Sequence, residues 1–119
     1  MWKRYAIGAA IFGGLFSANF AAQEAARVDF ARDVQPILRQ NCYGCHGPTQ
    51  QMNGFRLDRR RDAMRGGTIA VIGRGNSEAS RMYLRLLSPQ YGTQMPPTGA
   101  LKPAQIKTIK DWIDSAAAA

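Results

Sequence analysis

The stretch Asn41–Pro48 reads NCYGCHGP, and it holds both cysteines and the one histidine of the 119-residue chain, as Cys42, Cys45 and His46. A disulfide between Cys42 and Cys45 would close a very small ring and add little constraint to the unfolded chain. Stabilisation alone therefore does not account for two thiols and an imidazole gathered in five residues.

The order C-x-x-C-H has a chemical reason. Two thiols three positions apart match the two vinyl groups on one edge of a porphyrin and form thioethers with them. The next residue is then held beneath the ring, where its imidazole reaches the iron; this is the attachment signature of a c-type haem. Two other chemistries use similar residues. A thioredoxin-like redox pair is also C-x-x-C, but it sits at a strand-to-helix junction of an α/β fold, and this chain lacks the strands. A zinc site takes four ligands, so two cysteines and one histidine need a carboxylate or a second chain to complete the set.

Outward from the motif, the chain reads as helices joined by long loops. In VDFARDVQPILRQNC, Phe30, Val34, Ile37 and Leu38 recur at helical spacing. Asp33 is a candidate cap, with Pro36 tolerated in the first turn, and the helix delivers Cys42 at its end. In LDRRRDAMRGG, Asp58 is expected to cap a short helix and Gly66–Gly67 to stop it. TIAVIGRG reads as a brief extended piece. NSEASRMYLRLLSP predicts a helix capped by Asn76 or Ser77, with Ala79, Met82, Tyr83 and Leu86 on one stripe and Pro89 at its end. AQIKTIKDWIDSA predicts an amphipathic last helix through Ile106, Ile109, Trp112 and Ile113. The sum is an all-α domain of three main helices and one minor one. A loop-rich domain of this size calls for something large and apolar at its centre.

Residues 1–22 stand apart. Lys3 and Arg4 precede a run with no charged residue before Glu24. A basic start, an apolar stretch and small residues at its end describe an export signal. The rival reading is an uncleaved signal-anchor, since a bilayer span needs about 20 apolar residues. Either places the rest of the chain outside the cytoplasm, which makes it periplasmic, anchored to the inner membrane only if the segment stays. Residues 23–28 then form a linker and 29–119 the domain. The chain carries a net charge of +8. Arginines 56, 59, 60, 61, 65, 74, 81 and 85 crowd one region, against Asp58, Asp62 and Glu78. They make either a solvated basic face or a docking surface that steers an acidic redox partner. Nucleic acid is not expected, because the exported chain has no recognition motif.

Iron has a second axial position. His46 being the sole histidine, that ligand is not another histidine of the same chain. Met64 and Met82 fall in predicted helices as ordinary filling, and Met52 leaves from the proximal side only six residues after His46. Met95, in GTQMPPTG, follows a helix able to carry the chain across, and Pro96 and Pro97 stiffen its loop. The alternative is that Met95 fills a packing gap.

PILRQNCYGCHGP, LDRRRDAMRGG and MPPTGALKPAQIKTIKDWID together resemble the monohaem cytochrome c domains of the class I fold. They are most similar to the short planctomycete-type cytochrome C domain, and the likeness runs from about Asp29 to Ser115. The resemblance implies one haem c bound through Cys42 and Cys45, with His46 as proximal and Met95 as distal ligand. It also implies packing of the first helix on the last, through Phe30, Val34 or Leu38 against Ile109, Trp112 and Ile113.

With both axial positions filled, the expected function is one-electron transfer and not catalysis, alone or as a subunit of a larger oxidoreductase. Electrons would leave near Tyr43, Gly44 and the Gln94–Pro97 loop. A haem protein with an open distal site, a sensor or a peroxidase-like enzyme, requires that Met95 not coordinate and lacks a second histidine for acid–base work. A non-haem thiol module requires a colourless protein.

Overall fold

The structure is a computed structural model and describes residues 27–115. The export segment expected over residues 1–22 lies outside the described residues. Four α-helices are present, α1 (Gln35–Asn41), α2 (Arg60–Arg65), α3 (Arg81–Leu87) and α4 (Pro103–Ser115), and no strand among the described residues. The domain is thus all-α, as the sequence pattern predicts. No helix among them is long and apolar enough to cross a membrane.

The first helix begins one turn earlier than α1 proper, as a wide π-helical turn over Phe30–Val34. Pro36 explains the widening. It has no N–H to offer the carbonyl four residues back, and its ring crowds that carbonyl. The Gln35 N–H bonds instead to the Phe30 carbonyl. The cap is Asp29 and not the predicted Asp33: the Asp29 carboxylate accepts from the Arg32 N–H at 2.7 Å. Asp33 reaches back to accept from the Asp29 N–H at 2.8 Å, which makes the pair reciprocal.

Helix α2 has the predicted stop at Gly66, but Asp58 does not cap it; Arg59 holds the N-cap position and makes no side-chain cap bond. The Asp58 carboxylate is occupied by the Arg56 fork, with Nε–Oδ1 at 2.7 Å and Nη2–Oδ2 at 2.5 Å. A bidentate, charge-assisted pair is stronger than a cap bond to a neutral N–H.

The helix predicted over 76–88 is broken in two. Asn76 caps a single 3₁₀ turn, Ser77–Ala79, through its Oδ1. Ser80 is extended, and α3 begins at Arg81. The break comes from the Ser80 hydroxyl. It donates to the Asn76 carbonyl at 2.7 Å and accepts from the Gly73 N–H at 2.8 Å. These bonds offer the backbone an alternative to the helical ladder. Ala79 is consequently exposed, while Met82 and Leu86 remain buried. TIAVIGRG forms no strand; it is an irregular connection whose Ile72 enters the core and whose Val71 carbonyl accepts from the Met82 N–H.

Helix α4 closes the domain, with Ile109, Trp112 and Ile113 buried. It packs on the Phe30–Val34 turn and on α3. Phe30 and Trp112 meet with ring centroids 5.2 Å apart, and Val34 and Leu38 lie in the same core. The packing of first helix on last is as the resemblance implies. At its far end Asp114 accepts from both the N–H and the hydroxyl of buried Ser77 and pairs with Lys110. Burial acts to raise the Asp114 carboxyl, but those donors outweigh it and hold the group below its ordinary value.

Candidate haem site

Helix α1 ends at the first thiol. The Cys42 and Tyr43 N–H groups both donate to the Leu38 carbonyl, at 2.8 and 3.1 Å, closing the helix. The chain turns tightly from there, with the N–H groups of Cys45 and His46 both bonded to the Cys42 carbonyl. Cys42, at the helix end, is half-buried against the core, and Cys45, on the turn, is exposed. Both are free thiols. Burial, and secondarily the nearby Cys45, pushes the Cys42 thiol up to about 11, so its Sγ keeps its proton at neutral pH.

The chain returning through Gln51–Leu57 holds His46. Its carbonyl accepts from the Leu57 N–H at 2.8 Å, and the preceding Cys45 carbonyl accepts from the Met52 N–H at 3.0 Å. His46 Nδ1 lies 3.0 Å from the Phe55 carbonyl oxygen. A carbonyl only accepts, so Nδ1 carries the ring proton and Nε2 presents a lone pair. The Phe55 ring meets the imidazole edge-on at 5.3 Å between centroids. Gln35 braces the flank, its amide donating to both the Tyr43 hydroxyl and the Asp58 carbonyl at 3.2 Å. The chain turns so closely at Gly47 that a Cβ there would meet the Tyr43 carbonyl oxygen at 2.5 Å. Only glycine fits this position.

Met95 comes from the loop after α3. Its N–H donates to the Arg85 carbonyl at 2.8 Å, and its side chain is half-buried against the core. The following peptide bond, Met95–Pro96, is cis. Met64 and Met82 are buried core residues, whereas Met52 is 48% exposed. Around the loop, Gly44 and Pro97 are exposed and Gln94 is half-buried.

The residues present fit a covalently attached haem. Cys42 and Cys45 supply two free thiols at the right spacing, and His46 is held in the tautomer that a metal requires. The Arg85 Nε is buried with no hydrogen-bond partner, an orphaned donor that a carboxylate-bearing group would satisfy. The zinc alternative finds no support, since no group of three or more His, Cys, Asp or Glu among the described residues is gathered to hold a metal ion. A thioredoxin-like arrangement has no strand to sit on among those residues.

Phe55 and Gln35 were not legible as site residues. Phe55 acts through a backbone carbonyl that every residue type carries, and Gln35 through a contact with Tyr43 eight positions away.

Searches of curated proteins and of solved structures each gave no match. Residues 42–99 match the family described as planctomycete cytochrome C, a span that starts at Cys42 and includes Cys45, His46 and Met95. A domain of this type implies electron transfer through covalently held haem. The segment that carries the thiols, the imidazole and the Met95 loop thus matches the planctomycete cytochrome C family, a cytochrome c-type domain.

Proposed function

We propose that the protein is a monohaem electron carrier of the periplasm, with Cys42 and Cys45 as thioether attachment points and His46 and Met95 as axial ligands. Bound haem supplies a one-electron iron couple. The observation that carries the reading is the His46 ring held by the Phe55 carbonyl, with Nε2 left to ligate and two free thiols within four residues of it. Met95 as the second ligand is supported by the fates of the other methionines among the described residues, two sunk in the core and one exposed on the turn after His46. A thioether ligand favours the softer, reduced iron and raises the potential relative to a second imidazole. With both axial positions filled by the protein, a substrate reaches the metal only by displacing a side chain, and the task left is electron transfer and not catalysis. Export rests on the character of residues 1–22.

Docking rests on the arginines. Arg56 is neutralised by Asp58 and Arg65 pairs with Asp62. Arg59, Arg60, Arg61, Arg74 and Arg81 are exposed and enter no ion pair among the described residues. This surplus suits an acidic redox partner.

The test is the intact mass and visible spectrum of protein exported alongside a working haem-ligation apparatus. The expected result is the mass of one haem added to the chain and a spectrum with the long-wavelength band of a thioether on oxidised iron. An unmodified mass overturns the reading. Electron-transfer rates with an acidic partner should fall steeply as the Debye length shrinks from about 10 Å at 0.1 M salt to about 3 Å at 1 M; a flat profile removes the docking role.

A further inference from the structure

Arg85 sits on α3 and is built into the wall from which the Met95 loop departs. Its carbonyl accepts the Met95 N–H. Its guanidinium lies against the loop at Gly92, so close that a Cβ there would meet Nη2 at 2.7 Å and Nε at 3.0 Å. Gly92 itself has φ +115°, a region that side chains avoid. The chain thus keeps this position bare and holds the guanidinium in place, yet it gives the buried Nε nothing to bond. An unsatisfied buried donor on a charged group is costly.

No carboxylate of the described chain is available to it. Asp33, Asp58, Asp62, Asp111 and Asp114 pair with other cations. Asp29 caps the first helix, and Glu78 is exposed on the turn before α3. The described residues therefore do not supply its counter-ion. Among the arginines of the basic region, Arg85 alone combines an orphaned Nε with contact to the distal loop. Its fork geometry suits a planar carboxylate.

We propose that Arg85 binds a haem propionate, so that the basic cluster divides into an outward-facing set and one arginine that serves the cofactor. The proposal rests on the haem reading above. Arg85 is then a positioning residue that acts on the iron through charge: its cation offsets the propionate and disfavours the extra positive charge of oxidised iron. Since the same residue holds the Met95 N–H through its carbonyl, it ties the carboxylate edge of the ring to the loop of the distal ligand.

The experiment compares mature wild-type protein with Arg85→Gln, Arg85→Lys and the exposed control Arg60→Gln. It reads midpoint potential, the propionate bending mode in resonance Raman spectra, and the thioether–iron absorption band. The expected result is a lower potential and a shifted propionate mode in Arg85→Gln, a shifted mode with most of the potential kept in Arg85→Lys, and neither change in Arg60→Gln. The absorption band should persist in all four, which separates a charge effect from loss of Met95. Arg85→Gln protein that matches Arg60→Gln in potential and mode overturns the proposal while leaving the haem reading intact. Should Arg85→Gln fail to mature, an unshifted mode in Arg85→Lys overturns it. Wild-type protein without attached haem overturns the haem reading instead.

Discussion

The stretch that carries His46 and the stretch that carries Met95 differ in how firmly the polypeptide alone holds them. From Cys42 to Leu57 the backbone folds back on itself. His46 is fixed at its N–H, its carbonyl and its ring nitrogen, by Cys42, Leu57 and Phe55. Tyr43 and Asp58 on either side are bridged by Gln35. From Ser88 to Gly99 the chain is mostly exposed, and its hydrogen bonds to the body of the domain are the Met95 N–H on Arg85 and a longer one of 3.4 Å from the Gln94 amide to the Leu86 carbonyl. The difference teaches that the two side chains proposed as axial ligands are held by different means. The His46 imidazole is oriented by the polypeptide's own hydrogen bonds. Met95 sits on a loop stiffened by Pro96 and Pro97, with few hydrogen bonds to the body of the domain.

The sharpest way to break that contrast is to remove each side in turn. Replacing both thiols, Cys42→Ser with Cys45→Ser, should abolish the covalent adduct altogether, read as loss of the haem increment in intact mass. Met95→Ala should leave attachment complete, erase the long-wavelength band and lower the potential. Equal loss of adduct in both would mean that the loop is as much a part of the attachment site as the turn.

A smaller effect sharpens the comparison within the proximal turn. Gly47→Ala forces a methyl against the Tyr43 carbonyl and should destabilise the domain by about 1–3 kcal/mol, measured by urea unfolding. Gly44→Ala, where a Cβ meets nothing within 4 Å, should be within about 0.5 kcal/mol of wild type.

The smallest effect concerns acid. Hydrogen bonding from Arg56 holds the Asp58 carboxyl below its ordinary range in the folded protein. The folded state therefore binds fewer protons at this group than the unfolded chain does. Its stabilising contribution is present in full above about pH 4, the ordinary aspartate value, and is lost as pH falls through the lower, folded one. Asp58→Asn should lower the urea midpoint at pH 7 and narrow the drop between pH 7 and pH 3. An unchanged drop would mean that this pair does not contribute to acid unfolding.

What the sequence made legible follows from which atoms do the work. Cys42, Cys45 and His46 act through side chains at fixed local spacing, so the motif is readable without any fold. The last helix is readable because Ile109, Trp112 and Ile113 repeat on one face, which burial then enforces. The misread elements involve competition that local pattern does not display. Asp58 has the residue type of a cap, but Arg56 two positions earlier takes its carboxylate. Ser80 lies inside a good helical pattern, but Gly73, brought alongside it by the fold, takes its hydroxyl and breaks the helix. Asp33 has the residue type of a cap, but the helix starts a turn earlier, at Phe30, where Asp29 accepts from the Arg32 N–H. Arg85 was one arginine among eight until its buried, unpartnered Nε set it apart.

The meeting of Phe30 with Trp112 has a bearing on the order of assembly. These rings lie about eighty positions apart, a contact that forms only after most of the domain is available. In a chain threaded N-terminus first through a translocon, the paired sulfurs emerge nearly sixty residues ahead of Pro103, where the closing helix begins. On the proposed export and haem attachment, a ligation enzyme would meet them on an open polypeptide, with the last helix closing over the porphyrin afterwards.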